Sequence, residues 1–131
     1  MKKIMLLLML AVSFVWAELR QVDASEAIVK SGIQIVDIRT KPEWQETGVI
    51  KDSILITFFD EQGRYDVQAF MNELNKHVTK DKEFALICRT GNRTSMVSEF
   101  LSKQGYKVIN LQGGIKRLIS QGYAPSAYKQ P

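Results

Sequence analysis

Residues 84–101 read FALICRTGNRTSMVSEFL. The apolar run Phe84–Ile87 leads into Cys88, the only cysteine among 131 residues. A short polar loop follows, containing Arg89, Thr90, Gly91, Asn92 and Arg93. Met96, Val97, Phe100 and Leu101 then recur at the spacing of one buried helical face, which predicts a helix starting near Thr94. A strand that turns tightly into a helix aims the loop's N–H groups at one point, beside the positive end of the helix dipole. Such a loop is an anion cradle. A cysteine at its mouth is expected to react as a thiolate, favoured by Arg89, Arg93 and the helix end.

Downstream, KVINL (residues 107–111) predicts another strand, Gly113-Gly114 a turn, and residues 115–120 a short helix stopped by Gly122. Residues 124–131 form a polar tail with two prolines, expected to be poorly ordered or to lie on the surface. Upstream, IQIVDI (residues 33–38) suits a strand buried on both faces and brings Asp37 and Arg39 to its carboxyl end. Before it, residues 22–32 predict a helix capped by Asp23, with Glu26 three positions on. After it, Thr40, Pro42 and Glu43 read as a helix start with a capping box. That helix carries Trp44, expected as a core anchor, and stops at Gly48. Ile54, Leu55 and Ile56 supply a further strand. Asp66 caps a helix whose buried face is Val67, Phe70, Met71 and Leu74. His77 ends that helix, and no Ser or Asp partner suggests a catalytic role for it.

Strands alternating with helices predict an α/β fold: an open, mainly parallel central sheet flanked by helices on both faces. Ligands of such sheets sit beyond the carboxyl ends of the strands. Cys88, Asp37, Arg39 and Gly113-Gly114 all fall there.

Residues 1–17 read as a secretory signal peptide: Met1, Lys2 and Lys3, an apolar run over residues 4–15, and Val15 and Ala17 before a cleavage point at Glu18. The run falls short of the roughly 20 apolar residues of a membrane span, so cleavage and a periplasmic location are expected over an uncleaved anchor. The formal charge of +4 includes Lys2 and Lys3 of that leader. What remains is too small and too evenly spread to suggest nucleic acid or a membrane surface. Apolar content of 45% with 24% charged residues excludes a disordered chain and suits one core, here residues 18–123. An exported chain with a single cysteine cannot form an internal disulfide, and its thiol meets an oxidising compartment. One Cys and one His give no metal-ligand spacing, so no metal or other cofactor is expected.

Taken together, these segments resemble a single-domain rhodanese over nearly all of residues 18–123. VDIRTKPEWQETGVIKDSILI resembles the family's first signature, ALICRTGNRTS its catalytic loop, and KVINLQGGIKRLISQGY its closing signature. The chain departs where Val49 follows Gly48, a place where the family often has His, and at Leu118, where it often has Trp. The resemblance implies a rhodanese-like fold and a sulfurtransferase. Cys88 would attack the outer sulfur of a small anionic donor such as thiosulfate and carry it as a persulfide to a thiol, including a protein thiol, or to cyanide. Residues 89–94 would form the anion-binding loop, with Arg89 and Arg93 holding the donor. Asp37 and Arg39 would order the neighbouring loops. Arg64, in the loop of residues 57–66, is a further candidate for the pocket wall.

Two other functions are compatible with a reactive cysteine in such a loop. A cysteine phosphatase or arsenate reductase needs an arginine six residues after the cysteine to clamp its oxyanion. Here Thr94 is at six and Arg93 at five, so the loop is short for phosphate. A carrier or docking module would hold the persulfide for a partner with little turnover, and the intact Cys88 loop excludes only an inactive version of it.

Overall fold

The computed structural model of the protein describes residues 19–130, so the leader read over residues 1–17 lies outside the described residues. The sheet is made of β1 (Leu19–Asp23), β2 (Ile35–Asp37), β3 (Ile54–Leu55), β4 (Phe84–Ile87) and β5 (Val108–Gln112). All pairings are parallel, in the order β1-β5-β4-β2-β3. Helices α1 (Glu26–Lys30), α2 (Lys41–Thr47), α3 (Val67–Leu74), α4 (Asn92–Lys103) and α5 (Gly114–Ser120) alternate with the strands.

β4 is the middle strand, and its alternating side chains feed two cores. Phe84, Leu86 and Cys88 join Val36, Phe70, Leu74, Val97 and Leu101 beneath α3 and α4. Ala85 and Ile87 join Ile109, Leu111, Ile115 and Leu118 on the other face, with Ile28 of α1 packed against them. All four residues of β4 are buried, as a strand covered on both faces requires. Each fully buried Leu, Ile or Phe contributes about 1.5–3 kcal/mol, so the strand leading to Cys88 is held firmly from both sides.

The connection after β2 runs to β3, while the one after β4 runs the other way to β5. Their divergence opens a crevice between the carboxyl ends of β2 and β4, the usual ligand position in open parallel sheets. Asp37 and Cys88 lie at those two ends. Thr57 ties the following loop to this region by donating its hydroxyl to the Arg39 carbonyl at 2.7 Å.

Three local expectations need correction. Residues 19–23 form an edge strand, where no strand is expected, with Val22 in register with Leu111. The helix predicted over residues 22–32 shrinks to α1, capped by Ser25 and not Asp23. Pairing with the open edge of β5 outweighs one more helical turn, a tertiary contact that local propensity cannot report. α4 starts at Asn92, two residues before the expected start. Residues 124–130 of the tail lie on the surface but are tied down. Val49 and Ser126 exchange backbone hydrogen bonds of 2.8 Å each, and the Tyr128 ring sits 5.6 Å from that of Trp44. Trp44 is buried, as expected of a core anchor. Among the described residues, no helix is long and apolar enough to cross a membrane.

Candidate active site

Cys88 follows β4 directly. The Gly91 N–H donates to its Sγ at 3.2 Å, and the Thr94 hydroxyl lies 3.5 Å from the same sulfur. Thr94 also donates to the Gly91 carbonyl at 3.2 Å, closing the loop on itself. Gly91 has φ +97, a left-handed conformation that turns the chain sharply enough for α4 to begin at the next residue. The sulfur therefore sits over the helix's first turn. Cys88 is only 1% exposed, while Arg89, Thr90 and Asn92 face solvent around it.

The Gly113-Gly114 pair does more than turn the chain. The Ile115 N–H donates to the Cys88 carbonyl at 2.9 Å, and the Lys116 N–H to the Arg89 carbonyl at 3.0 Å. The first turn of α5 thus grips the backbone of the cysteine loop. A Cβ on Gly114 would stand 2.5 Å from each of those two carbonyl oxygens. Only glycine permits so close an approach. The sequence shows Gly-Gly as a turn and contains no local sign of the loop it holds.

Arg89 and Arg93 are not equivalent. Arg93 lies in the first turn of α4 and makes a two-pronged ion pair with Glu43 of α2, both bonds 2.7 Å. Partial burial opposes ionisation of Glu43. The hydrogen bonds and charge of Arg93, with bonds from the Thr40 hydroxyl and N–H, outweigh it and lower the carboxyl to about 2. The Glu43 hydrogen bond in turn raises the Arg93 pKa against its own burial, and the charges of Glu43, Cys88 and Asp37 add to the rise. Arg89 is exposed, and its side chain has no hydrogen bond or ion pair among the described residues. Glu43 escapes a reading of the sequence because the helix cap already accounts for it. The cap is present, with Thr40 N–H and hydroxyl donating to Glu43 Oε1 at 3.4 and 3.0 Å.

Asp37 and Arg39 form a buried pair, with side chains 0% and 1% exposed. Arg39 Nε and Nη2 donate to the Asp37 carboxylate at 3.0 and 2.8 Å. The rest of the guanidinium reaches Thr47 Oγ1 at 2.7 Å and the Gly48 carbonyl at 2.8 Å. The pair thereby fastens the C-terminal end of α2 to the end of β2. Neither group faces the crevice as a free charge.

A cavity of about 640 Å³ adjoins the loop, lined among others by Thr40, Glu43, Phe59, Asn92, Arg93 and Met96. Arg64 is not part of its wall. It pairs with Asp60 at 3.0 Å and lines a separate cavity with Tyr65, Ala69 and Phe70. His77 is exposed in the turn three residues beyond α3, not at the helix end that the sequence predicts. Among the described residues, no group of His, Cys, Asp and Glu could hold a metal ion. At the two positions that depart from the first and closing signatures, Val49 pairs its backbone with Ser126, and Leu118 is fully buried.

Known proteins resemble this chain in sequence and in fold. The family model described as the rhodanese-like domain matches residues 21–121, from β1 through α5. A sulfurtransferase of Allochromatium vinosum is 32% identical over 84 residues, covering 63% of this chain and 68% of that protein. The protein YtwF of Bacillus subtilis (strain 168) is 31% identical over 83 residues, 63% of this chain and 70% of its own. The crystal structure of a rhodanese-related protein from Thermoplasma volcanium superposes with a TM-score of 0.58 at 28% identity, covering 78% of this chain and 94% of that one. A match that runs from within β1 through the cysteine loop and the glycine pair that grips it means that this chain belongs to the rhodanese-like domain family.

Proposed function

We propose that the protein is an exported, periplasmic sulfurtransferase that carries sulfane sulfur on Cys88. The observation that carries this reading is the cradle itself: a single sulfur receiving the Gly91 N–H at 3.2 Å, at the first turn of α4. Sulfurtransferase relatives and the leader-like residues 1–17 support it from outside the site.

In the first half-reaction the Cys88 thiolate attacks the outer sulfur of a donor such as thiosulfate. A new S–S bond forms at Sγ, the donor's S–S bond breaks, and sulfite leaves with the bonding pair. The persulfide anion is stabilised by the loop N–H groups and the helix end. In the second half-reaction cyanide or an acceptor thiolate attacks the terminal sulfur, and the bonding pair returns to Cys88 as thiolate. This is double-displacement covalent catalysis requiring no metal or organic cofactor. Arg89 is the guanidinium available to meet the donor, because Arg93 is engaged by Glu43. Asp37 and Arg39 support the site by fixing α2, which carries Glu43.

Phosphate chemistry fits the loop poorly. The residue six after Cys88 is Thr94, whose hydroxyl is committed to Gly91, and Arg93 at five is neutralised. The near-complete burial of Cys88 favours a carrier that releases sulfur slowly as the second reading. Mass spectrometry of the purified protein separates these. A gain of one sulfur on Cys88 after thiosulfate, lost on adding cyanide and absent in Cys88→Ser, is expected. Rapid loss with turnover indicates an enzyme, and slow stoichiometric loss a carrier. No gain with several sulfane donors would refute both.

A further inference from the structure

Next to the loop cavity, Phe58, Phe59, Tyr65, Met96, Val97 and Phe100 line an apolar groove of about 250 Å³. Phe59 and Met96 belong to both walls, so the groove adjoins the cavity that Asn92 and Arg93 border. Tyr65 is 61% and Met96 63% exposed, two of the three large hydrophobic side chains exposed among the described residues. Tyr65 is nonetheless held in place, stacked on Phe58 and edge-on to Phe59 at 5.5 Å each. A fixed aromatic wall facing a flexible methionine suits adaptable apolar contact.

A small inorganic anion gains nothing from such a wall. The charges beside it are also of the wrong sign for one. Asp60 is balanced by Arg64 and Glu43 by Arg93, but Glu61 has no ion pair among the described residues, leaving the cavity rim negative. The groove therefore fits the second substrate better than the first.

We infer that the groove docks the acceptor, and that the acceptor is a polypeptide presenting its thiol beside an apolar side chain and a basic residue. This rests on the sulfurtransferase reading and names the acceptor class for it. The apolar side chain lies between Tyr65 and Met96, the basic one meets Glu61, and the thiol passes over Asn92 to the persulfide. The acceptor thiolate then bonds to the terminal sulfur of the Cys88 persulfide as the Cys88 S–S bond breaks and Cys88 leaves as thiolate.

The test uses two synthetic peptides, Lys-Leu-Cys-Phe-Gly and Glu-Ser-Cys-Ser-Gly, with cyanide as the small acceptor. The protein loaded from thiosulfate should transfer sulfur to the first peptide at least about tenfold faster than to the second, which lacks both apolar side chains and carries the opposite charge. Tyr65→Ser and Met96→Lys should each lower the rate on the first peptide relative to cyanide by a similar factor. Binding of the fluorescently labelled first peptide with Ser in place of Cys reads the groove without any persulfide. It should weaken in both variants and in Glu61→Lys. Equal transfer to both peptides, or binding untouched by these changes, would overturn the inference while leaving cyanide turnover intact. Self-association abolished by Met96→Lys would make the occupant a second copy and also overturn it. Failure to load any sulfur sinks the underlying reaction instead, and the peptide binding still decides the groove.

Discussion

The guanidinium of Arg93 and the carboxylate of Glu43 face each other in a two-pronged pair, 2.7 Å at each contact, across 50 positions of sequence. The pair ties the first turn of the cysteine-loop helix to α2, and it leaves Arg89 as the loop arginine without an ion pair among the described residues. The cradle is thus shaped by one arginine and left open to the other.

Replacing Glu43 with Gln should show this charge coupling directly. Gln preserves the helix cap, because it can still accept from Thr40, but it loses the ion pair. The side chains are 27% and 20% exposed, so the loss at neutral pH should be about 1–2 kcal/mol after allowing for solvent screening. The folded-state carboxyl is held at about 2, below its ordinary 4.5. The stabilisation is therefore complete above about 4.5 and fades as the pH falls toward 2. Urea unfolding of both proteins should give a stability gap at pH 7 that shrinks steadily below about pH 4.5. A gap that stays constant with pH would mean that packing, not charge, explains the effect.

Arg89→Ala should weaken the anionic donor without touching the fold. The side chain is exposed and makes no hydrogen bond or ion pair among the described residues, so nothing in the core depends on it. An exposed charge contributes up to about 1 kcal/mol, equivalent to roughly a fivefold rise in the KM for thiosulfate. The difference from the parent protein should diminish with added salt. Steady-state kinetics at two ionic strengths check this, and an unchanged KM at low salt would remove Arg89 from donor binding. Arg93→Ala should behave differently, costing stability as Glu43 loses its partner.

The strand–loop–helix at Cys88 was legible because each step has a local chemical mark: a continuous apolar run, a glycine able to take positive φ, and then a helical apolar spacing. The layered sheet followed from alternation of the same marks. The edge strand at residues 19–23 carries none of them. Its half-exposed pattern becomes a strand only because β5 has an open edge beside it. Arg93 and Glu43 lie 50 residues apart, and each already had a sufficient local account, as an anion ligand and a helix cap. Asp37 and Arg39 lie only two residues apart at a strand end, so a local reading of the sequence could set them side by side, and in the fold they form a buried pair.

Asp37→Ala should be severely destabilising. It leaves the Arg39 guanidinium, 1% exposed, without its carboxylate. Breaking one side of a buried pair typically costs about 3–5 kcal/mol, because the remaining charge is uncompensated. Replacing both residues, Asp37→Ala with Arg39→Met, should cost less than the sum of the two single changes. Chemical denaturation of all three variants tests this. Additive losses would show that the two residues act independently.

Gly114→Ala probes whether the grip of α5 on the cysteine loop matters for the reaction. The added Cβ would meet the carbonyl oxygens of Cys88 and Arg89 at 2.5 Å, both backbone atoms that can yield only by moving the loop. Gly63 is the fitting comparison. It has φ +76 against +60 for Gly114, but a Cβ there meets nothing within 4 Å. Gly63→Ala should therefore cost only the backbone strain of a left-handed residue, about 1 kcal/mol, and leave sulfur transfer near the parent rate. Gly114→Ala carries the same strain plus the displacement of the loop, so it should lose at least about 2–3 kcal/mol. In the fraction that remains folded, Cys88 would no longer sit 3.2 Å from the Gly91 N–H. Persulfide formation should then fall about tenfold or more, as expected when one donor to a developing anion is misplaced. Rates are to be compared at a temperature where both variants are fully folded by circular dichroism. If the folded Gly114→Ala protein loads sulfur as fast as Gly63→Ala, the contact between α5 and the loop serves stability alone.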